Sequence, residues 1–360
     1  SPLSRLGAAL VLDAEDESYR SESQPTWWAP AVVAERARRD GAPWWMTSSA
    51  PTADLYAFGE PHWRDTTRWW PRVRVVDRRE GDPHDGVLDR TALAAVTRAL
   101  EGPEEVAAVI VLQRLGSGRL FACRSCRELC RCAVCAQAEI RVDGELTCGE
   151  GHERRAAYCR ACGSSAVRAV RSGVTTLARD VAALTGQPVS ELTGNSRPGP
   201  LERVGVGTEA ALHRVRRAGV VVFADFDQYL LAPREGARSR ALGVVARAGR
   251  LVGPRTRGGE VVVQTRRHDE VIDALVKGEP RPVIEAERDE AEVLLLTPYG
   301  APTEIRGEGA LEWTRSLEIS GMRRREIEGG VVLRHGDPTR IPEALGALGR
   351  PEGPVRVRVW

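Results

Sequence analysis

Short apolar runs alternate with amphipathic stretches along the chain, an order that predicts strands and helices in turn. Residues 8–14 (AALVLDA) read as an apolar strand ending in acid, 29–40 as a helix, and 42–52 (APWWMTSSAPT) as a strand running into a polar loop. Strand, helix, strand implies parallel pairing. A polar, arginine-rich connection leads to about residue 90, followed by a helix over 91–102 and a buried strand over 106–113. Beyond residue 162 the alternation resumes. A helix over 174–186 stops at Gly186, short strand 204–206 follows, and an apolar strand over 220–227 is tipped by Asp225 and Asp227. Strand 260–265 comes next, with an arginine-rich helix over 233–250 before it. The last seventy residues carry short strands at 292–297, 330–335 and 355–359 and a helix at 341–348, the pattern of a small α+β domain. The fold class is therefore α/β with an insertion between residues 113 and 174.

The insertion holds every cysteine of the chain, eight between Cys123 and Cys162. Six form CxxC pairs: Cys123/Cys126, Cys132/Cys135 and Cys159/Cys162. Two such pairs can complete a tetrahedral zinc shell with bonds of ~2.3 Å, and Cys148 with His152 has a spacing that lets two further donors face one ion. Eight donors make room for two closed zinc sites. Cys130 is a ninth candidate, either a substitute donor for His152 or a bystander thiol. A disulfide framework is the rival reading, but the chain is long, shows no secretory leader and has no cysteine elsewhere. Closed four-ligand sites offer no open position to substrate, so the module is expected to supply folding energy and surface shape.

Composition changes this picture little. The 360 residues, 42% hydrophobic, suffice for two or three domains, and no run approaches the ~20 apolar residues of a membrane span. The chain opens on Ser1, so it reads as a fragment or a processed product. Net charge is only +2, and Lys277 is the sole lysine among 52 basic residues, which fits a compositional bias as well as phosphate recognition. Paired tryptophans Trp27/Trp28, Trp44/Trp45 and Trp69/Trp70 can stack on bases, though core or interface packing is expected of the first two pairs. His213 is expected to cap or pack, and Gly205 and Gly207 to make a tight strand turn.

Six motifs taken in order carry a resemblance. They are DAEDESYR at 13–20, SSAPT at 48–52, VLQRLG at 111–116, VGTE at 206–209, DFDQ at 225–228 and RAGR at 247–250. With the cysteine insertion between the third and fourth, this order resembles the primosomal protein N′ (PriA) family of replication-restart helicases, in particular its divergent actinobacterial-type members. The resemblance covers nearly the whole chain, as the C-terminal half to two-thirds of the family's length. It implies a helicase-type, RecA-like parallel-sheet lobe with an inserted two-zinc-ribbon module and a small C-terminal α+β domain. Residues 1–58 would be the remainder of the first helicase lobe, 59–118 and 166–288 the second lobe, 119–165 the zinc insertion and 289–360 the C-terminal domain. Asp13 and Glu15 would lie in the acidic box that binds Mg²⁺ and activates water, with Arg250 as a third catalytic candidate. Gly207, Thr208, Asp225, Asp227, Arg247 and Arg250 would line the nucleotide. For the metals, the resemblance suggests Cys123, Cys126, Cys159 and Cys162 on one zinc and Cys132, Cys135, Cys148 and His152 on the other.

Departures from the family pattern bear on activity. No GxxxxGK[ST] phosphate loop is present, Ala14 stands where the second acid belongs, no histidine follows, and Val244 and Val245 replace the glutamine region of the last motif. The resulting expectation is a DNA-binding primosome-assembly protein whose ATP motor is degenerate; two zinc ions are its expected cofactors, and binding of ATP and Mg²⁺ stays open. Its partners would be forked or single-stranded DNA, primosome proteins and single-strand-binding protein. The protein would be a cytoplasmic, nucleoid-associated monomer with no membrane contact. An active ATP-dependent 3′–5′ DNA helicase, with its nucleotide-binding lobe upstream, is the alternative. A protein-interaction ribbon unrelated to DNA is the third.

Overall fold

The computed structural model describes residues 5–21, 27–65, 68–79, 86–104, 107–113, 121–126, 128, 130–134, 139–142, 144–148, 152–169, 173–194, 196, 199–232, 235–300, 302–337, 339–351 and 353–359. Along the chain come β1 (Ala9–Val11), α1 (Ala29–Asp40), β2 (Trp44–Met46), β3 (Arg72–Asp77), α2 (Arg90–Leu100) and β4 (Ala107–Val111). The cysteine segment supplies β5 (Phe121–Cys123), β6 (Glu139–Val142), β7 (Glu145–Cys148), β8 (Arg154–Ala156) and β9 (Val167–Ala169). Next are α3 (Val174–Thr185), β10 (Val189–Leu192), β11 (Val204–Gly207), α4 (Ala211–Arg214), β12 (Ala218–Phe223) and α5 (Asp227–Leu230). These lead to α6 (Ala237–Val252), β13 (Glu260–Thr265), α7 (Glu270–Lys277) and α8 (Arg281–Val293). The chain closes with β14 (Thr303–Arg306), α9 (Ala310–Trp313), β15 (Arg323–Ile327), β16 (Gly330–Arg334), α10 (Arg340–Ala347) and β17 (Arg356–Val359). It divides into two compact units: Ser1–Arg64 with Pro233–Gly243 and Pro280–Trp360, and Asp65–Ala232 with Val244–Glu279.

The second of these units is built on a six-stranded, all-parallel sheet in the order β10-β11-β4-β12-β13-β3. Parallel sheets are covered on both faces and so read as continuous apolar runs. Accordingly, every position of β11 and β13 is buried. Val96 of α2 and Leu177 and Val181 of α3 pack on one face against Ile110, Val206 and Val222, and each such side chain contributes ~1.5–3 kcal/mol. Asp89 starts α2 by accepting a hydrogen bond from the Thr91 amide at 2.7 Å, and Gly186 ends α3 in the left-handed conformation at φ 65°. Gln264, polar in the middle of buried β13, donates to Ala224 O at 2.8 Å and Val87 O at 2.7 Å and accepts from Asp89 N at 2.7 Å. Its amide is paired through both atoms, which removes the cost of burying it. The arginine-rich connection expected before residue 90 contains edge strand β3. Arg72, Arg74 and Asp77 are exposed there, Val73 and Val75 half-buried and Val76 buried in the core, so the charged positions mask the strand's apolar ones.

In the other unit, β1 and β2 pair in parallel with Leu10 beside Trp45. Val11, Ala14 and Leu55 form a small cluster capped by Trp28 and Phe58, whose rings lie 5.5 Å apart. Core packing does not hold for all the tryptophans: Trp27 and Trp45 are more than half exposed, at 54% and 57%. Residues 303–359 fold as a four-stranded antiparallel sheet, β15-β16-β14-β17, with Ile305, Val331 and Leu333 buried against Ile341 and Leu345 of α10. The strand expected at 292–297 is instead the end of α8 and a turn. Val283, Ile284 and Ala291 are the buried positions of α8, a helical spacing that carries the apolar run of 291–296 into its last turn. Among the described residues no helix is long and apolar enough to cross a membrane.

Candidate metal centre

The antiparallel pairing of β5 with β9 aligns Cys123 with Val167 and sets the CxxC turn of 123–126 beside that of 159–162. The two turns repeat one design. Cys123 N donates to Glu128 O and Cys159 N donates to Ser164 O, at 2.9 and 2.8 Å, and Ser125 and Ser164 share a hydroxyl hydrogen bond of 3.0 Å. The four sulfurs lie within 4.8 Å of one another, with Cys123 Sγ 3.5 Å from Cys162 Sγ and Cys126 Sγ 3.4 Å from Cys159 Sγ. A tetrahedral shell with ~2.3 Å bonds needs sulfurs roughly 3.8 Å apart, so this cage fits one zinc ion. No described cysteine is disulfide-bonded.

The hairpin of β6, β7 and β8 builds a second group. Cys132, Cys148 and His152 place their donor atoms within 4.8 Å of one another, with Cys148 Sγ 3.6 Å from His152 Nδ1. Cys135, the fourth ligand expected for this site, lies outside the described residues. Cys130 does not join either group; it is buried in a small cluster with Phe121, Leu146 and Val167, where burial pushes its thiol pKa up. That thiol acts as a core side chain.

Thiol acidity in the first cage reflects backbone amides and neighbouring sulfurs together. The backbone amide at Cys126 is the largest influence holding Cys123 down, to about 6, against the opposing effect of burial. Cys126 has a backbone hydrogen bond at Glu128 that pulls it down, yet its sulfur neighbours, Cys159 first, push it up to about 12. Four thiolates at this separation repel one another, and a divalent cation is the counter-charge that lets them coexist.

Two carboxylates that the sequence did not single out brace the module. Glu139, wholly buried, pairs through both oxygens with Arg155, whose Nε donates at 2.8 Å and Nη2 at 2.5 Å. Arg155 also donates to Tyr158 O at 2.6 Å and lies 5.2 Å from that ring's centroid. Glu153 accepts from Ala133 N at 3.0 Å, inside the 132–135 turn, and from Arg160 Nη2 at 2.6 Å, inside the 159–162 turn. It therefore ties the two CxxC turns to each other. An alternating strand pattern with a polar residue at a buried register position is the only signal that could have flagged Glu139.

The remaining candidates are distributed over both units. Asp13 and Glu15 belong to the first unit; Gly207, Thr208, Asp225, Asp227, Arg247 and Arg250 belong to the second. Asp13 adopts a left-handed φ of 50°, and Ala14 is completely buried. Glu15 accepts from Ser49 N of the SSAPT segment at 3.0 Å; its pKa is raised, chiefly by burial, and its Oε2 has no hydrogen-bond partner. Asp227 is buried, accepting from Thr265 Oγ1 and from Arg266 N at 3.0 Å, while Asp225 is half-buried. Arg247 pairs with Glu209 at 3.2 Å and His213 Nε2 at 2.7 Å, which brings the RAGR helix onto the VGTE turn. Arg250 is exposed on α6. Of the VLQRLG motif, residues 114–116 lie outside the described residues.

Two glycines in these motifs have packing roles. A Cβ on Gly207 would stand 1.8 Å from Leu192 O, and one on Gly249 would stand 2.9 Å from Pro71 Cδ and Cγ. Only a glycine lets β11 and α6 approach their neighbours so closely.

No family model matches the chain. It is 27% identical over 330 residues to the probable replication restart protein PriA of Mycobacterium bovis, covering 85% of this chain and 49% of that protein, and equally to its counterpart in Mycobacterium tuberculosis H37Rv. The replication restart protein PriA of Bacillus subtilis is 25% identical over 187 residues, 48% of this chain and 23% of that protein. The chain thus spans about half the length of the mycobacterial relatives it matches.

Proposed function

We propose that this chain, a relative of the PriA replication restart proteins corresponding to their C-terminal portion, is a DNA-binding replication-restart factor that recognises forked or branched DNA. In this reading a RecA-like, helicase-type scaffold carries a two-zinc-ribbon module at 119–165 as its working surface. Residues 1–58 are the remainder of a first helicase lobe, 59–118 and 166–288 a second lobe, and 289–360 a C-terminal domain. The observation that supports it best is the contrast between two sets of residues. The sulfur cage of Cys123, Cys126, Cys159 and Cys162 is complete, whereas the acidic box has a wholly buried alanine at its second acidic position. Those four cysteines would hold one zinc ion, and Cys132, Cys148 and His152 with Cys135 the other. Bound there, zinc supplies a closed crosslink with no coordination position left for substrate.

The chain's own residues then act by binding. Arginine guanidinium groups meet phosphates, so affinity is weakly dependent on sequence and strongly dependent on salt. Primosome proteins and single-strand-binding protein are the protein partners, and the chain works as a cytoplasmic, nucleoid-associated monomer. The test is fork binding measured across a salt series with and without ATP. Tight binding at low salt that falls steeply with ionic strength and ignores ATP is the expected result; no binding, or a flat salt response, refutes it.

A second reading, an ATP-dependent 3′–5′ DNA helicase with its nucleotide-binding lobe upstream in a longer protein, is favoured by Glu15. Its buried carboxylate keeps one oxygen without a partner, as a group awaiting Mg²⁺ or water would. DNA-stimulated ATPase activity of the longer protein, abolished by Arg250→Ala, would decide for it.

A further inference from the structure

Glu153 stands at a junction of the metal-bearing turns. It follows His152 and precedes β8, so its backbone is fixed at the start of a strand. Its carbonyl accepts from Cys148 N at 2.9 Å and closes the segment that carries Cys148 and His152. Its Oε1 accepts from Ala133 N at 3.0 Å, inside the turn that starts at Cys132. Its Oε2 accepts from Arg160 Nη2 at 2.6 Å, between Cys159 and Cys162. One residue therefore touches both ligand segments of the second group and one of the two CxxC turns of the first cage.

The contact at Ala133 bears on a ligand directly. The next amide, Val134 N, donates to Cys132 Sγ at 3.4 Å, so Glu153 holds the peptide beside one that orients a sulfur. A carboxylate near two groups of thiolates is disfavoured by charge, and Arg160 supplies the compensation. The Glu153 side chain is 21% exposed and that of Arg160 41%, and an ion pair so open to water adds little stability by itself. Its effect is on position: Arg160 fixes the direction of the carboxylate, and the carboxylate fixes the Cys132 turn. Most other bonds at these turns stay within one turn or one group, as Cys123 N to Glu128 O, Cys159 N to Ser164 O and Ser125 Oγ to Ser164 Oγ do.

We propose that Glu153 is a positioning residue that couples the two metal groups, so that filling one raises the affinity of the other for zinc. With the first cage empty its thiolates repel one another, the 159–162 turn loosens and Arg160 no longer steadies Glu153. The Cys132 turn is then released from its place beside Cys148 and His152. With the first cage filled, Arg160 is set, Glu153 is set, and the second group is assembled before its ion arrives, which raises affinity by pre-organisation. Linkage makes the effect reciprocal: the second group strengthens the first by the same factor. The module accordingly gains and loses its metal as a unit, over a narrow range of free zinc.

The proposal rests on the two-zinc reading given above, and its test separates the two. Zinc affinity of the second group would be measured on the full chain by competition with a chelator. Cobalt(II) absorption distinguishes the all-sulfur site from the one that includes imidazole. Four proteins form a cycle: wild type, Cys126→Ser, Glu153→Ala and the double variant. Emptying the first cage by Cys126→Ser should weaken the second site about fivefold or more, and the same change in the Glu153→Ala background should alter it by less than about twofold. Glu153→Gln keeps an oxygen for Ala133 N without the charge that Arg160 pairs with, and should retain part of the coupling. Should Glu153→Ala unfold the module by circular dichroism, Glu153→Gln carries the same comparison. Equal weakening by Cys126→Ser with and without Glu153, or no weakening in either, overturns this proposal alone, since a merely structural glutamate lowers both affinities and leaves their ratio unchanged. Fewer than two zinc ions bound by the wild type overturns the two-zinc reading and this proposal with it.

Discussion

Arg155→Ala isolates how the cysteine-bearing module is braced. Glu139 is wholly buried and Arg155 nearly so, and the two are joined by a bidentate pair, so truncating the arginine strands a carboxylate in the interior. Breaking such a pair costs about 3–5 kcal/mol, because the remaining charge has lost its compensation. At ~1.4 kcal/mol per decade, local opening of the hairpin should become roughly 10²- to 10⁴-fold more frequent. Hydrogen exchange at peptide resolution reads this directly: amides of residues 139–156 should lose protection while α2 and β12, which do not contact the pair, keep theirs. The double variant Glu139→Leu/Arg155→Leu removes both charges and should recover most of the protection, since apolar replacement of a buried pair is often neutral. Unchanged exchange in the single variant, or a double variant as unprotected as the single, would refute the reasoning.

Other outcomes follow from the same geometry. Cys126→Ser should reduce the zinc content from two ions per chain to one, by atomic spectroscopy, whereas Cys130→Ala, in a core position, should leave it at two. Gly207→Ala forces a methyl against Leu192 O and should lower the melting temperature by several degrees at a cost of about 1–3 kcal/mol, while Gly194→Ala, with nothing within 4 Å, should not. Burial works to raise the pKa of Glu260, but its hydrogen bonds to Arg74 and Arg98 prevail and its folded-state value is lowered. The sign follows: its contribution is present above the unfolded carboxylate value of 4.5 and is lost as pH falls through the lowered folded value. Glu260→Gln should therefore flatten the acid limb of a stability–pH curve, and an unchanged limb would count against the assignment.

Much of this protein can be read from spacing alone. Runs of β-branched residues at 109–111, 220–222 and 261–263 are buried and could hardly be anything but parallel strands. CxxC turns are likewise local, since their own backbone amides orient the sulfurs, as Ser125 N does for Cys123 Sγ at 3.3 Å. Where charge and structure compete, the sequence misleads. Strand β3 hides among arginines because an edge strand can leave Arg72, Arg74 and Asp77 exposed, and the 292–297 run is no strand because its first two residues complete α8 and the rest turn away from it.

What the chain decided by itself, then, is which residues can be neighbours within a turn or along a strand: the CxxC turns, the valine strands, the helix caps at Asp89 and Gly186. Tertiary structure alone decided what lies across from what. Cys162 meets Cys123 across 39 residues only when β9 pairs with β5, Glu139 meets Arg155 only when the hairpin closes, and Glu153 bridges Ala133 and Arg160 only when the turns that carry them come together. The reason is physical. Turns and caps are settled by dihedral preference and hydrogen bonds a few residues apart, whereas pairing between strands depends on loop closure and on which apolar faces can be buried together, terms that belong to the whole chain.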